Sequence, residues 1–255
     1  MGINCYISTF EIQNSYKTIN MFKYFFIAIV TLLCLSSCTN KAKRYNDKAL
    51  SLIEMENYNQ AIKELNTATK IDARYAPAYY NKAIAYANLK QYKTAIKYFN
   101  ISIKQHSDFY DAYLNRGIVY ENIGKYKQAI KDYSSAINLD PLNKKAYFFR
   151  GITRFENKDI KGAIDDYSKS IKNGLNSTGV YYNRAIAYQE EKNYAAAIKD
   201  YSKVINISPS FAKAYYNRAI VYLYLNNKDA AIKDLNLAKN YGFTEFDKEI
   251  YTLLY

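Results

Sequence analysis

The octapeptide YYNRAIAY, which begins at Tyr181, indicates the fold because it returns nearly unchanged at two other places in the chain. It reads YYNRAIVY from Tyr215 and YYNKAIAY from Tyr79, at separations of 34 and of three times 34 residues. Self-similarity at a fixed period of this size is typical of an array of identical small units. The sequence therefore predicts a repeat protein in which each repeat completes its core against its neighbours.

Steps of 34 residues from Ala42 divide the chain into six consecutive repeats without an insertion. The predicted repeats are residues 42–75, 76–109, 110–143, 144–177, 178–211 and 212–245. In every repeat position 4 is Tyr, position 8 is Ala or Gly, and positions 20 and 21 are Ala and Ile. Six copies in one phase indicate that the array is the architecture of most of the chain.

Each repeat carries the pattern of two helices. Positions 4, 8 and 11 lie on one helical stripe, and positions 20, 24 and 27 lie on a stripe of a second helix. The small residues at positions 8 and 20 let the two antiparallel helices approach closely, and Asp140-Pro141 and Ser208-Pro209 end the second helix. Aromatic residues at position 24 are expected beside this contact: Phe99, Tyr133, Tyr167 and Tyr201. The predicted fold class is all-α, an array of stacked helix hairpins.

The pattern resembles the tetratricopeptide repeat, which has an aromatic residue at position 4, a small residue at 8, Tyr at 11, Ala at 20 and 27, an aromatic at 24 and Pro at 32. The resemblance covers residues 42–245. It implies a right-handed α-solenoid whose first helices line a concave groove. Residues 246–255 place Phe246, Ile250, Leu253 and Leu254 on one helical stripe, so we expect a helix that caps the last repeat.

In the family, the concave wall displays positions 2, 5, 9, 12 and 13. Position 9 is Leu or Ile in every repeat of this chain, and position 5 is mostly aromatic or aliphatic. Positions 5 and 9 lie one helical turn apart, so they form adjacent apolar columns. We expect a binding groove made of Tyr80, Ile84, Leu114, Ile118, Phe148, Ile152, Phe155, Tyr182, Ile186, Tyr216 and Ile220. Alternatively, position 9 packs sideways against the neighbouring first helix and exposes little surface.

The fourth repeat departs most from the pattern. Phe149 replaces the Asn found at position 6 of four other repeats, and Arg154 replaces the Tyr found at position 11 of four others. Phe148, Ile152 and Phe155 make this the most aromatic stretch of the predicted groove, so we place a binding hot spot there. Arg154 is expected to pair with a carboxylate of the second helix, Asp165 or Asp166, in preference to a ligand.

The charges of the predicted groove indicate the kind of ligand. Acidic residues occupy position 12 or 13 in four repeats: Glu54, Glu121, Glu156 and Glu190. A basic, partly apolar peptide is therefore the expected ligand. The carboxylate clamp that some family members use for chaperone C-termini is not expected, because no repeat has Asn at position 9 or Arg at position 6.

Residues 21–38, MFKYFFIAIVTLLCLSSC, resemble the signal peptide of a bacterial lipoprotein. Lys23 precedes an apolar run over residues 25–35, which is shorter than the roughly 20 residues that span a bilayer. The run ends in Leu-Ser-Ser-Cys, which resembles a lipobox, so Cys38 is the expected site of lipid attachment. The alternative is an uncleaved apolar helix that anchors the chain.

This interpretation divides the N-terminal part of the chain into three segments. Residues 1–20 are interpreted as a mis-assigned extension ahead of a start at Met21, residues 21–37 as the signal peptide, and residues 38–41 as the lipidated cysteine and its tether. The expected location is the bacterial cell envelope, lipid-anchored and facing the periplasm.

The composition argues against several other classes of protein. All three cysteines lie within the first 38 residues, and the one histidine, His106, falls in an expected turn, so the repeats offer neither a disulfide framework nor a histidine metal cluster. No nucleophile–base pair or phosphate loop is present, so we expect no enzyme, catalytic residue, cofactor, metal or small-molecule substrate. The net charge of +13 accompanies many Lys, Asn, Ile and Tyr residues, whose codons are AT-rich, so no nucleic-acid partner is expected.

Together these features predict a membrane-anchored adaptor whose groove binds a segment of a client protein. The alternative is a structural or assembly component of an envelope machine, such as an outer-membrane, pilus or cell-wall hydrolase complex. Stoichiometry separates the two hypotheses, because an adaptor binds transient clients and an assembly component co-purifies in a fixed ratio.

Overall fold

The computed structural model describes residues 37–246 and residue 250. Residues 37–246 contain twelve helices and no strand, which confirms the all-α α-solenoid fold class of helix hairpins. Helix α1 is described over residues 37–54. The others are α2 Tyr58–Ile71, α3 Ala76–Asn88, α4 Tyr92–Gln105, α5 Tyr110–Asn122, α6 Tyr126–Leu139, α7 Lys144–Glu156, α8 Ile160–Lys172, α9 Thr178–Glu190, α10 Tyr194–Ile207, α11 Ala212–Tyr224 and α12 Lys228–Asn240.

The chain divides into two compact units, of which the first ends at Ser107 and contains α1–α4. Its core is built mainly from alanines that allow close helix contact, with Leu65 fully buried among them. Ser102 on α4 donates a hydrogen bond to the backbone oxygen of Ala76 at the start of α3, with an O–O distance of 3.0 Å. The backbone oxygen of α3 thereby gives the fully buried hydroxyl of Ser102 a hydrogen-bond partner.

The second unit begins at Asp108 and contains four hairpins, α5–α12. Each hairpin packs against the next along the chain. A Cβ atom added to Gly117 or Gly151 at position 8 would lie 2.7 Å from the ring of Tyr133 or Tyr167, respectively, at position 24. Position 8 is therefore small because the aromatic ring of the second helix lies directly against it.

A short turn joins the two helices of every hairpin, and position 15 adopts a left-handed backbone conformation in all six repeats. The φ angles are +57° to +71° at Glu56, Lys90, Gly124, Lys158, Lys192 and Asn226. Only one of these residues is glycine, although glycine adopts this conformation at the lowest cost.

The two ends of the described chain bear on the predicted anchor and cap. Cys38 lies exposed in the first described turn of α1, and this helix continues without a break into the first repeat. At the other end, Ile250 is buried in the core of the last hairpin, and the ring of Phe246 lies 5.9 Å from that of Tyr216. Residues 1–36, 247–249 and 251–255, which include most of the predicted signal peptide and Leu253 and Leu254, lie outside the described residues.

Among the residues that the structure describes, no helix is both long enough and apolar enough to cross a membrane.

Candidate interaction groove

The structure places ten of the eleven predicted groove residues in partly exposed positions. The eight of them in the second unit pack against core clusters with part of the side chain and leave the rest accessible. Leu114 is the exception, since only 8% of its surface is exposed, and it therefore offers little surface to a ligand. Tyr80 and Ile84 belong to the first unit, and the other nine residues belong to the second.

In the fourth and fifth repeats, side chains of three helices enclose a cleft of about 150 Å³, which we call the fourth-repeat cleft. Its lining residues are Ile152, Phe155 and Glu156 of α7, Tyr167 of α8, and Asn183 and Ile186 of α9. The cleft brings together three of the predicted groove residues, Ile152, Phe155 and Ile186. Tyr167 and Asn183 were not predicted as site residues, and Glu156 was predicted only as a groove acid.

The helices that carry the cleft are positioned by local sequence signals. Helix α7 begins after Asn143, whose side-chain oxygen accepts a hydrogen bond from the backbone N–H of Lys145 at 3.0 Å. It ends at Glu156, two residues before the left-handed backbone of Lys158. Phe148 packs beside the cleft, with its ring centroid 6.1 Å from that of Tyr167. These two signals set the ends of α7, the helix that carries Ile152 and Phe155.

The buried tyrosines at position 24 differ in their hydrogen bonds. Tyr133 donates to the carboxylate of Glu121, and Tyr201 donates to the side-chain oxygen of Gln189, each at 3.0 Å. Both acceptors stand at position 12 of the same repeat. In the fourth repeat position 12 is Phe155, which cannot accept a hydrogen bond. Within the described part of the chain, the Tyr167 hydroxyl has no hydrogen-bond partner.

The asparagines at position 6 show a parallel difference. Asn217 donates from Nδ2 to the hydroxyl of Tyr182 at position 5 of the preceding repeat, at 2.9 Å. For Asn183, the residue at position 5 of the preceding repeat is Phe148, whose ring has no oxygen. The Asn183 amide therefore has no side-chain partner among the described residues, and it lines the fourth-repeat cleft.

The charge around the fourth-repeat cleft is negative. Glu156 is exposed and forms no ion pair with any described residue. Glu121 accepts hydrogen bonds from the neutral hydroxyls of Tyr133 at 3.0 Å and Thr153 at 2.6 Å. Burial raises the pKa of Tyr167 above its ordinary value, and the nearby charges of Glu156 and Glu121 raise it further. Asp166, the neighbour of Tyr167 in the chain, acts in the same direction.

Arg154 does not compensate these carboxylates, because it is already paired. Its guanidinium lies 2.9 Å from the carboxylate of Asp166 and 3.5 Å from that of Asp159. The expected pairing with Asp166 is therefore observed, whereas Asp165 pairs with Lys169 at 2.8 Å.

A set of buried ion pairs joins the two helices of each hairpin in the second unit, and these pairs were not predicted from the sequence. The arginine at position 7 makes two hydrogen bonds of 2.6–2.9 Å to the aspartate at position 23 in each repeat of the second unit. The pairs are Arg116–Asp132, Arg150–Asp166, Arg184–Asp200 and Arg218–Asp234. The constant separation of 16 residues was the signal that could have revealed them.

The guanidinium groups of Arg150, Arg184 and Arg218 also join consecutive hairpins. Arg184, for example, donates to the hydroxyl of Ser168 in the preceding repeat at 3.0 Å. Burial lowers the pKa of Arg184, but its hydrogen bond to Asp200 and the charge of that carboxylate raise it more, so the pKa lies above its ordinary value. The pairs are structural and hold the helices that carry the groove.

The described residues contain no group of three histidine, cysteine, aspartate or glutamate side chains that could hold a metal ion.

Models of the tetratricopeptide repeat match residues 46–108, 110–143, 180–211 and 212–241. The chain belongs to the tetratricopeptide repeat family. None of these matched ranges contains residues 144–177, the repeat that departs most from the pattern. No curated protein sequence matches the chain significantly.

Solved structures of tetratricopeptide proteins have the same fold. PilF of Pseudomonas aeruginosa is 19% identical, with a TM-score of 0.69 over 82% of this chain and 95% of PilF. YrrB, described as a protein with an unusual peptide-binding site, is 20% identical, with a TM-score of 0.65 over 74% of this chain and 95% of YrrB. MamA is 24% identical, with a TM-score of 0.61 over 62% of this chain and 93% of MamA. At these identities the likeness concerns the fold alone.

Proposed function

We propose that this chain is an adaptor that binds a segment of a client protein in the apolar groove of its second unit. The observation that carries the proposal is the fourth-repeat cleft, where the predicted hot-spot residues Ile152 and Phe155 meet Ile186 around open space. Arrays of this family use such extended surfaces to bind other proteins. Partly exposed apolar columns are also the kind of surface that marks interaction sites in soluble domains.

We further propose that Cys38 carries a lipid that holds the adaptor at a bacterial envelope membrane, with the repeats facing the periplasm. The support is the lipobox-like ending before Cys38 and the exposure of this residue on α1. Exposed basic residues follow it directly: Lys41, Lys43 and Arg44. Each would add about 1 kcal/mol to the attraction toward anionic headgroups.

The client site is tested with the double variant Phe148→Ser and Ile152→Lys. It removes the central apolar contacts, each worth about 1.5 to 3 kcal/mol when a client buries them fully. We expect lost partner capture from native envelope extracts and only a small fall in melting temperature, because the two side chains are only partly buried and a lysine at an open wall keeps its ammonium in water.

The matched control changes apolar residues that are exposed outside the predicted groove, with Leu139→Ser and Ile207→Lys. It should capture partners normally. A large fall in the melting temperature of the groove variant would instead show that these side chains are mainly packed between helices. No change in either measurement would exclude this site. Co-purification of one partner in a fixed ratio would favour an assembly component over an adaptor.

The anchor is tested with Cys38→Ala. The variant should remain unprocessed or leave the membrane fraction, because two or three acyl chains bind membranes much more firmly than one. Labelled fatty acid should appear on the wild type and not on the variant. Its absence from the wild type would exclude the lipid anchor.

A further inference from the structure

We propose that the fourth-repeat cleft receives the cationic side chain of an arginine or lysine in the bound segment. The proposal rests on the client-binding function above and specifies which residue of a client is anchored there. Three observations carry it: the size of the cleft, the uncompensated carboxylate of Glu156 with that of Glu121 nearby, and the unpaired polar groups of the cleft.

The size of the cleft suits one long side chain. A cavity of about 150 Å³ lined by apolar side chains holds one benzene-sized group, and the fourth-repeat cleft has this volume. Ile152, Phe155 and Ile186 form apolar walls that suit a hydrocarbon stem. Arginine and lysine cover such walls with their methylene groups and keep the charge at the polar end.

The charge of the cleft selects a cation. The protein as a whole has a net charge of +13, yet Glu156 at the cleft has no ion-pair partner within the described residues. Glu121 is held only by the neutral hydroxyls of Tyr133 and Thr153. A glutamate or aspartate of a client would be repelled here, and a neutral side chain would leave the charge of Glu156 uncompensated.

The unpaired polar groups can accept from a donor. The side chain of Tyr167 is buried, with 2% of its surface exposed, and its hydroxyl oxygen has no described partner. The amide of Asn183 is likewise unpaired and lines the same cleft. An ammonium or guanidinium group carries only donors, so the carboxylate of Glu156, the hydroxyl oxygen of Tyr167 and the amide oxygen of Asn183 can all accept from it. An aliphatic client side chain would satisfy none of them.

Peptides of the form acetyl-Ala-Ala-Xaa-Ala-Ala-amide test the proposal, with Arg, Lys, norleucine or Glu as Xaa. Each is titrated into the isotope-labelled full chain in a nonionic detergent, and the side-chain amide signals of Asn183 are followed by NMR. The Arg and Lys peptides should shift these signals saturably. Norleucine, which keeps the stem and lacks the charge, should bind about threefold to tenfold more weakly, and the Glu peptide should not bind.

Two matched variants connect the effect to the cleft. Glu156→Gln should abolish the preference for Lys over norleucine. Glu190→Gln changes the same position one repeat later, where the residue is exposed and outside the cleft, and should preserve the preference. Asn183→Ala should weaken Lys binding, whereas Asn217→Ala, which removes a paired amide, should not.

Equal binding of the norleucine and Lys peptides would overturn the proposal, and so would equal effects of Glu156→Gln and Glu190→Gln. These failures are distinguishable from failure of the adaptor function. If partner capture depends on Phe148 and Ile152 while norleucine and Lys bind alike, the adaptor function stands and the cation site is wrong. If capture is independent of those residues while the Lys preference depends on Glu156, the cation site stands and the adaptor function is wrong.

Discussion

The two compact units solve the same packing problem with different side chains at positions 7 and 23. In the second unit every repeat pairs a largely buried arginine with a buried aspartate through two hydrogen bonds. In the first unit the same positions hold Lys48 and Glu64, whose ion pair of 2.6 Å leaves 59% of the lysine side chain exposed. The second repeat has Lys82 over the ring of Tyr98, with the ammonium 4.1 Å from the ring centroid.

The difference shows that the hairpin itself does not require the arginine–aspartate pair. Exposed ion pairs contribute little to stability because water already solvates both charges. A buried pair is different, because each charge has lost its water and depends on its partner. The planar guanidinium can satisfy both carboxylate oxygens at once, which lysine cannot do. The second unit has therefore become dependent on contacts that the first unit lacks.

The largest expected effect tests this dependence directly. Arg184→Met should destabilise the protein by about 3 to 5 kcal/mol, because it leaves the carboxylate of Asp200 buried and unpaired. Lys48→Met in the first unit should cost less than about 1 kcal/mol. Urea unfolding followed by circular dichroism measures both. Equal losses would show that the two units do not differ in the way we describe.

A change at the contact between the two helices should affect both units alike. Ala163→Leu in the second unit and Ala61→Leu in the first enlarge a fully buried alanine at position 20. Each should cost about 1 to 3 kcal/mol through overpacking, and the damage should spread to neighbouring repeats. Thermal melting is the measurement. An unchanged melting temperature in either variant would argue against close helix contact in that unit.

Alkaline pH should destabilise the second unit, because position 24 is Tyr in three of its repeats. In the first unit the same position holds Leu65 and Phe99, which do not ionise. Burial raises the pKa of Tyr167 above 10.0, the ordinary value, so the folded protein retains the proton that the unfolded chain loses. The contribution of Tyr167 to the stability of the folded protein is therefore complete below pH 10 and declines as the pH rises above 10. At pH 11 Tyr167→Phe should be more stable than the wild type by about 1.4 kcal/mol.

The same variant should be nearly neutral at pH 7, because the Tyr167 hydroxyl has no hydrogen bond to lose among the described residues. Unfolding by urea at the two pH values gives the comparison. Tyr224→Phe is the control, since this residue is 60% exposed. If Tyr224→Phe gained as much stability at pH 11 as Tyr167→Phe, burial would not be the cause of the effect.

The smallest expected effect concerns the turns, which are alike in both units. Lys90→Gly in the first unit and Lys192→Gly in the second relieve a left-handed backbone at φ +58° and +59°. The relief of this backbone strain outweighs the greater conformational freedom that glycine gives the unfolded chain. Each substitution should therefore stabilise the protein by about 0.5 kcal/mol. Gly124→Lys should have the opposite sign. The midpoint of urea unfolding would show whether the signs hold.

Much of the fold could be predicted from the sequence, because the signals that define a hairpin are local. The 34-residue period, the alanine at position 20 and the aromatic at position 24 recur in phase. Their spacing alone places them on facing helical stripes. The lining of the fourth-repeat cleft was predicted only in part, since Ile152 and Phe155 were predicted from the same periodicity and Tyr167 and Asn183 were missed. Tyr167 had been assigned only to the core of its hairpin.

The sequence by itself determined the repeat, the two helices of each hairpin and the small residues that let them touch, since these depend on neighbours within one repeat. The tertiary structure decided which polar groups find partners, since this depends on side chains that meet across helices. Phe155 stands where Tyr167 would need an acceptor, and Phe148 stands where Asn183 would need one. Neither missing acceptor can be recognised until α7, α8 and α9 are packed together, because a hydrogen bond requires two atoms within about 3 Å. The unpaired polar groups of the fourth-repeat cleft are therefore a consequence of how these three helices pack.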